Sequence, residues 1–251
     1  NVLFITHENF PPILIRRIDK NQFACSHWYV RDENNNLTRD DFNDAAPYRQ
    51  NTDANHTLTL SGTLTLGGAV TVTSNVSMFT AKYIGSYIAL KDTAGANLGY
   101  MQVTAYTSGT IVTGVVTQAL TGVSTTATTQ WAEAYWSHDK GWPRACTFAE
   151  GRLVFAGSPS YPDAIWFTQV DDIFEWSNTA ILDPGTSIVE SDPGIIFPAT
   201  REINEITWIQ GGNRNVLVGT RGAEYSLSRL SGLPIDVATG EAMTKFAMQS
   251  S

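Results

Sequence analysis

Arg152-Leu-Val-Phe-Ala-Gly157, a turn, then Ile165-Trp-Phe167 is the stretch on which the fold is read. Nearly every position of its first run is apolar, so neither face suits water and the strand belongs inside a stack. Ser158-Pro159 and Tyr161-Pro162 separate the two runs, where proline fixes φ and the chain can reverse. The pattern occurs twice more. Asn1-Val-Leu-Phe-Ile-Thr6 leads through Pro11-Pro12 to Ile13-Leu-Ile15, and Asn215-Val-Leu-Val-Gly-Thr220 leads through Arg221-Gly222 to Glu224-Tyr-Ser226. Recurring hairpins with a buried first strand suit the blades of a β-propeller or the layers of a packed sandwich. The expected class is all-β, with a partial propeller-like or sandwich scaffold.

The first and second copies are separated by a change of character. Between Thr57 and Trp131 threonine and glycine become dense, and the only charged residues are Lys82, Lys91 and Asp92. Thr57-Leu-Thr-Leu-Ser-Gly-Thr-Leu-Thr-Leu66 and Val70-Thr-Val-Thr73 alternate with period two, the pattern of strands with one wet face, and Gly67-Gly68 supplies a turn. Further strands are expected at Tyr87–Lys91, Gly99–Ala105 and Thr110–Thr117, with turns at Asp92–Gly95 and Thr107–Gly109. Five or six short strands make a small barrel or sandwich. Residues 57–131 are therefore expected to be an inserted small β-barrel, with 1–56 and 132–251 forming a discontinuous scaffold.

Composition fits a folded chain that can bury a core: 251 residues, 42% hydrophobic, 11% aromatic and 16% charged. No run approaches the roughly eighteen apolar residues of a membrane helix, and no basic segment precedes an apolar one at the N-terminus. The net charge of −8 argues against a surface that grips nucleic acid through its phosphates, yet it suits a wall that DNA slides past without sticking. Cys25 and Cys146 lack CxxC spacing, so a metal or redox motif is not expected and two buried free thiols are.

Candidate chemistry is sparse. Asp171, Asp172 and Glu175 lie near Trp166 and Trp176, the types a glycoside hydrolase would use as paired carboxylates and a stacking platform. The plainer expectation is that the two aspartates cap a short helical turn. Asp32–Asp41 begins like a calcium loop but has Leu37 where the sharp turn needs glycine and Asn43 where the closing glutamate belongs. His7, His27, His56 and His138 show no ligand spacing, and Gly211-Gly-Asn-Arg-Asn215 reads as a hairpin turn because the phosphate-loop Lys-Ser/Thr ending is missing. The triplets at Asn36, Asn55 and Asn75 read as chance glycosylation signals in Asn- and Thr-rich sequence. No catalytic, metal or cofactor-binding residue is assigned. Arg16, Arg17, Trp142 and Arg144 combine residue types favoured at protein interfaces, with core packing beside Pro143 the rival reading of Trp142.

Gly141-Trp-Pro-Arg-Ala-Cys-Thr-Phe-Ala-Glu150 and Ala164-Ile-Trp-Phe-Thr-Gln-Val-Asp-Asp-Ile-Phe-Glu-Trp176, with Ile203–Trp208, Val216–Tyr225 and Asn1–Pro12, resemble the tail nozzle, or tail tubular protein B, of short-tailed bacteriophages. The run from Trp142 to Trp176 is the specific part. The insertion resembles the small barrel likened in phage tail proteins to the FCCH domain of ubiquitin-activating enzymes, in shape only. The resemblance implies a virion structural protein assembled in the bacterial cytoplasm. Six copies would form a ring below the portal adaptor, contacting tail fibres, and DNA would leave through its centre without sequence-specific binding. Members of that family are longer, and this chain opens without a methionine, so a fragment with further blades on both sides is expected. Two other functions are carried: a host-surface or glycan-binding module of a phage tail, and a carbohydrate-active propeller.

Overall fold

The structure is a computed structural model and describes residues 2–27, 47–91, 98–120, 122–123, 125–173, 176, 194–196, 204–212, 215–228 and 243–244. Its described elements are β-strands apart from one 3-10 turn, so the chain is all-β. The described residues fall into two compact units, one from within 1–37, 140–176 and 187–251, the other from within 38–139.

The first unit opens with a three-stranded antiparallel meander: β1 (Val2–His7), β2 (Phe10–Asp19) and β3 (Gln22–His27). The reversal falls at Glu8-Asn9 rather than at Pro11-Pro12. Both prolines lie inside β2, and the ladder slips between Ile5 and His7 opposite them, which is how a strand accommodates residues with no N–H to donate.

The second unit follows as one seven-stranded antiparallel sheet. Its strands are β4 (Tyr48–Gln50), β5 (Leu58–Gly62), β6 (Ala69–Ser74), β7 (Tyr87–Lys91), β8 (Leu98–Ser108), β9 (Ile111–Gln118) and β10 (Trp131–Ala134), in the order β4-β10-β7-β8-β9-β6-β5. An isolated bridge from Leu58 to Thr128 brings the edge strand β5 to the segment entering β10. The sheet thus curls back on itself, with a single bridge and no continuous ladder at the seam among the described residues. Leu58, Leu60, Val70, Val72, Ile88, Leu90, Met101, Val112 and Trp131 fill the interior. The alternating run expected through Leu66 stops earlier, at Gly62, whose φ of 121° turns the chain out of the strand. The sheet also reaches beyond 57–131, because β4 pairs with β10 from Tyr48↔Ala134 to Gln50↔Ala132.

Returning to the first unit, the chain lays down two four-stranded meanders. One is β11 (Ala145–Ala149), β12 (Arg152–Ala156), β13 (Ile165–Phe167) and β14 (Gly194–Ile196). The other is β15 (Ile206–Gly211), β16 (Asn215–Thr220), β17 (Glu224–Ser228) and β18 (Met243–Thr244). Period-two alternation divides the second sheet into two faces. Val154, Ala156, Ile165 and Phe167 pack on Ile206, Val216, Val218 and Leu227 of the third sheet. On the opposite face Phe148 meets Phe4 of β1 edge-on, with ring centroids 5.6 Å apart. The three sheets are stacked face to face, which explains why all five residues of β12 are buried.

Candidate functional site

Arg144 stands at the entrance to β11, where the three sheets of the first unit meet. Its guanidinium forms ion pairs with Glu8, in the β1–β2 turn, and Glu205, just before β15. Glu205 is in turn paired with Arg221 at 2.5 Å. The planar fork of arginine presents donors in two directions at once, so one side chain can hold two carboxylates from different sheets. Backbone bonds follow the same seam: Trp142 N–H donates to Glu8 O at 3.0 Å, and Arg144 N–H to Gly157 O at 2.7 Å. Of the four interface candidates, Arg144 is thus engaged within its own unit and Trp142 is buried. Arg16 and Arg17 are exposed on β2, where Arg17 donates to the carbonyls of Asp19 and Lys20 around the next turn. The structure brings Trp142 and Arg144 together at one seam and leaves the arginine pair on another strand.

The second unit carries a cleft of about 270 Å³ lined by Arg49, Asn51, Asp53, His56, Tyr83, Trp131 and Glu133 among others. Glu133 lies on β10 in the run Trp131-Ala-Glu-Ala134, every residue of which is buried. Tyr83 donates its hydroxyl to the Glu133 carboxylate at 2.8 Å, and the more exposed Arg49 stands 3.6 Å away across the β4–β10 ladder. His56 is held by Ser74 at 3.0 Å and lies edge-on to the Trp131 indole, whose N–H donates to His56 O at 3.2 Å. Asn51 donates to the carbonyls of Asp53, His56 and Thr129 and so shapes the rim. The result is a polar recess that offers a carboxylate and a guanidinium side by side.

The other sequence candidates are placed apart from both. Trp166 and Trp176 are 0% and 2% exposed, and Trp176 stacks on Phe155, so neither offers a face to a sugar. Asp171 and Asp172 do not cap a helix. They occupy a tight turn in which Asp171 takes φ 62° and donates its N–H to Gly151 O at 2.8 Å. Glu175, the loop 32–41 and Asn36 lie outside the described residues. Asn75 is spent on a turn, bonding Asn55 O and the Thr57 N–H. Gly212 and Asn215 do make a turn, joining β15 to β16 through a 2.7 Å bond. The expectation of two buried thiols is corrected. Cys25 is exposed on β3, and Cys146 is half-buried, with burial pushing its thiol pKa up against the opposing effect of a bond from Thr6. Among the described residues no group of three His, Cys, Asp or Glu is placed to hold a metal ion, and no helix is long and apolar enough to cross a membrane.

Sequence reasoning missed Glu8, Glu205 and Arg221 because pairs separated by 136 and 61 positions leave no local pattern. Glu133 did carry a signal, as a lone acid among small and aromatic residues of a strand. No protein-family model matches the chain, and no curated protein resembles it closely enough to register.

Proposed function

We propose that the chain is part of a virion structural protein of the short-tailed phage tail-nozzle kind, a section of the conduit through which a genome leaves. The observation that carries this reading is where the most specific part of the resemblance falls. The aromatics and turn residues from Trp142 to Trp176 build the middle sheet of the stack, β11 to β13, with Trp142 and Trp176 buried beside it. An acidic chain suits a wall past which DNA must slide. Copies of the chain, a portal adaptor and tail fibres are its proposed partners. Negative-stain microscopy of the purified protein tests this: six-copy rings around a central channel are expected. Single particles without a channel at every concentration would count against it.

A second reading, a glycan- or host-surface-binding module, is favoured by the cleft of the second unit, whose paired Glu133 and Arg49 can meet hydroxyl donors and acceptors. A glycan array decides it. Binding that Arg49→Ala abolishes supports this reading, and a blank array removes it.

A further inference from the structure

Trp208 of β15 lies face-down on a glycine. It pairs with Gly219 across the β15–β16 ladder, and a Cβ added at Gly219 would stand 2.0 Å from both Cε2 and Nε1 of the indole and 2.6 Å from Cζ2. Those distances put such a Cβ above the plane of the ring rather than beyond its edge. One face of the indole therefore covers the glycine, and the other, on a side chain 40% exposed, looks to solvent. Glycine inside a strand weakens it and marks a place where something approaches the backbone closely, which here is the indole itself. The ladder is also irregular at this point, between Ile206 and Trp208. The extra residue lets Ile206 and Ile209 both face the core and sets Trp208 outward. The Thr207 hydroxyl holds the irregularity by donating to Gly219 O at 3.1 Å.

The neighbours of the indole are of two kinds. Cross-strand partners share a face of a sheet, so Glu224, opposite Gly219 on β17, borders the ring, while Gln210 and Leu217 form the next row. Gln210 and Glu224 are exposed, and among the described residues no hydrogen bond or ion pair engages either side chain. Leu217, 39% exposed, extends the apolar strip of the ring. Trp208 and Leu217 are the only large apolar side chains exposed on this face among the described residues, far short of the roughly 800 Å² per partner that a stable protein interface buries. A protein segment laid over the face would also take the Glu224 carboxylate out of water, which is costly without a cation fixed beside it, and no described cation pairs with it. The face is built instead as a flat aromatic ring with an amide and a carboxylate at its border.

We infer that Trp208, bordered by Glu224 and Gln210, is a stacking platform for a β-linked glycan of gluco-configured rings, glucose or N-acetylglucosamine. Rings of that configuration carry every substituent, the β linkage included, near the ring plane and only C–H groups on their two faces. They lie flat on an indole while their hydroxyls donate to the Glu224 carboxylate and exchange hydrogen bonds with the Gln210 amide. The site belongs wholly to the third sheet of the first unit, shares no residue with the cleft of the second, and rests on neither function proposed above.

Isothermal titration calorimetry of the intact chain with cellohexaose and, separately, chitohexaose tests this. At least one of the two should bind saturably with half-saturation below about 1 mM, and maltohexaose, whose α linkages are axial, should bind at least about tenfold more weakly. Gly219→Ala is the sharpest variant. Gly219 is not among the glycines with positive φ, so the backbone accepts alanine, and the added Cβ lifts the indole without removing any group of the site. It should keep the far-ultraviolet spectrum of the parent and weaken binding at least about tenfold, Trp208→Ala should abolish binding, and Glu224→Gln, at an exposed position, should weaken it at least about threefold. Absent binding of both hexasaccharides, equal binding of maltohexaose, undiminished binding in Trp208→Ala, or unchanged affinity in Glu224→Gln or in a folded Gly219→Ala would overturn the inference. Binding abolished by Arg49→Ala would overturn it by assigning the sugar to the cleft. So would an indole shielded from acrylamide in the unliganded chain, read as the difference in fluorescence quenching from Trp208→Phe, because another stretch of this chain or a second copy would then occupy the platform.

Discussion

Arg144 illustrates how a residue flagged for one reason acts for another. Its type suggested a partner protein, yet the side chain is 21% exposed and holds Glu8 and Glu205 across the stack. Nothing within ten residues of it in sequence names those partners, so this role was not legible before the fold. Removing the guanidinium strands Glu8 and leaves Glu205 to Arg221 alone, and the loss of charged hydrogen bonds of this kind costs about 1.5–3 kcal/mol each before solvent screening reduces it. Arg144→Met is expected to lower stability by about 1–3 kcal/mol in urea unfolding. Arg221→Ala, at a position 74% exposed, should cost less than about 0.5 kcal/mol. The thiols give a second residue-scale test. Burial favours the neutral form of Cys146, so its folded pKa stands above the unfolded one and the thiolate is scarce at neutral pH. A thiol reagent near pH 7 should modify exposed Cys25 first, with Cys146 following only as pH rises. The sign for stability is fixed by the same shift. The contribution from Cys146 is complete below the unfolded thiol pKa and declines as pH climbs through the raised folded value.

Strands were the most legible elements, since period and composition dictate them directly. Tyr87–Lys91 coincides with β7, and the alternation of Thr and Leu does divide β5 into an inner face, with Leu58 and Leu60 buried, and an outer one. Turns were less legible. Pro11-Pro12 looked like the reversal of the first hairpin and turned out to be tolerated within β2 by a slipped register, a property of the partner strand that no local reading contains. Gly62 ended β5 early because its positive φ turns the chain out of the strand, a conformation that the alternating pattern around it does not announce. The outline of the fold was thus available, while the seam and the cleft, built from pairs distant in sequence, were not. Element by element, the inner face should dominate stability. Leu60→Ala, at a position 2% exposed inside the curled sheet, should cost about 2–5 kcal/mol by loss of buried area plus the cavity left behind. Thr73→Ala, on the opposite face of the adjoining β6, should stay within about 0.5 kcal/mol. Thermal melts of the two variants compare them directly, and equal effects would mean that the alternation does not separate core from solvent.

At the level of the whole molecule the decisive property is that the second unit has a core of its own. Its interior, from Leu58 through Trp131, is drawn from strands of a single sheet together with Phe79, Tyr83, Leu120 and Val123 of the connections between them, and that sheet takes in β4 and β10 at its far edge. A second apolar cluster on the other side of the sheet joins Tyr48 of β4 to Tyr87, Tyr100, Ala132 and Ala134. Composition changes at Thr57 and Trp131, but hydrogen-bonded continuity does not, because a strand belongs to the sheet it pairs with rather than to the stretch it resembles. Residues 47–139 expressed alone should therefore fold, unfolding in one cooperative transition with intact near-ultraviolet signal from the buried aromatics. The shorter segment 57–131 loses β4 outright and all of β10 except Trp131. It leaves β7 as a bare edge and removes the Glu133 carboxylate to which Tyr83 donates. That segment is expected to melt at clearly lower temperature or to bind hydrophobic dye as a loosened state. Equal melting temperatures for the two segments would show that β4 and β10 contribute nothing to the unit. Failure of the longer one to fold would show that its core depends on the rest of the chain.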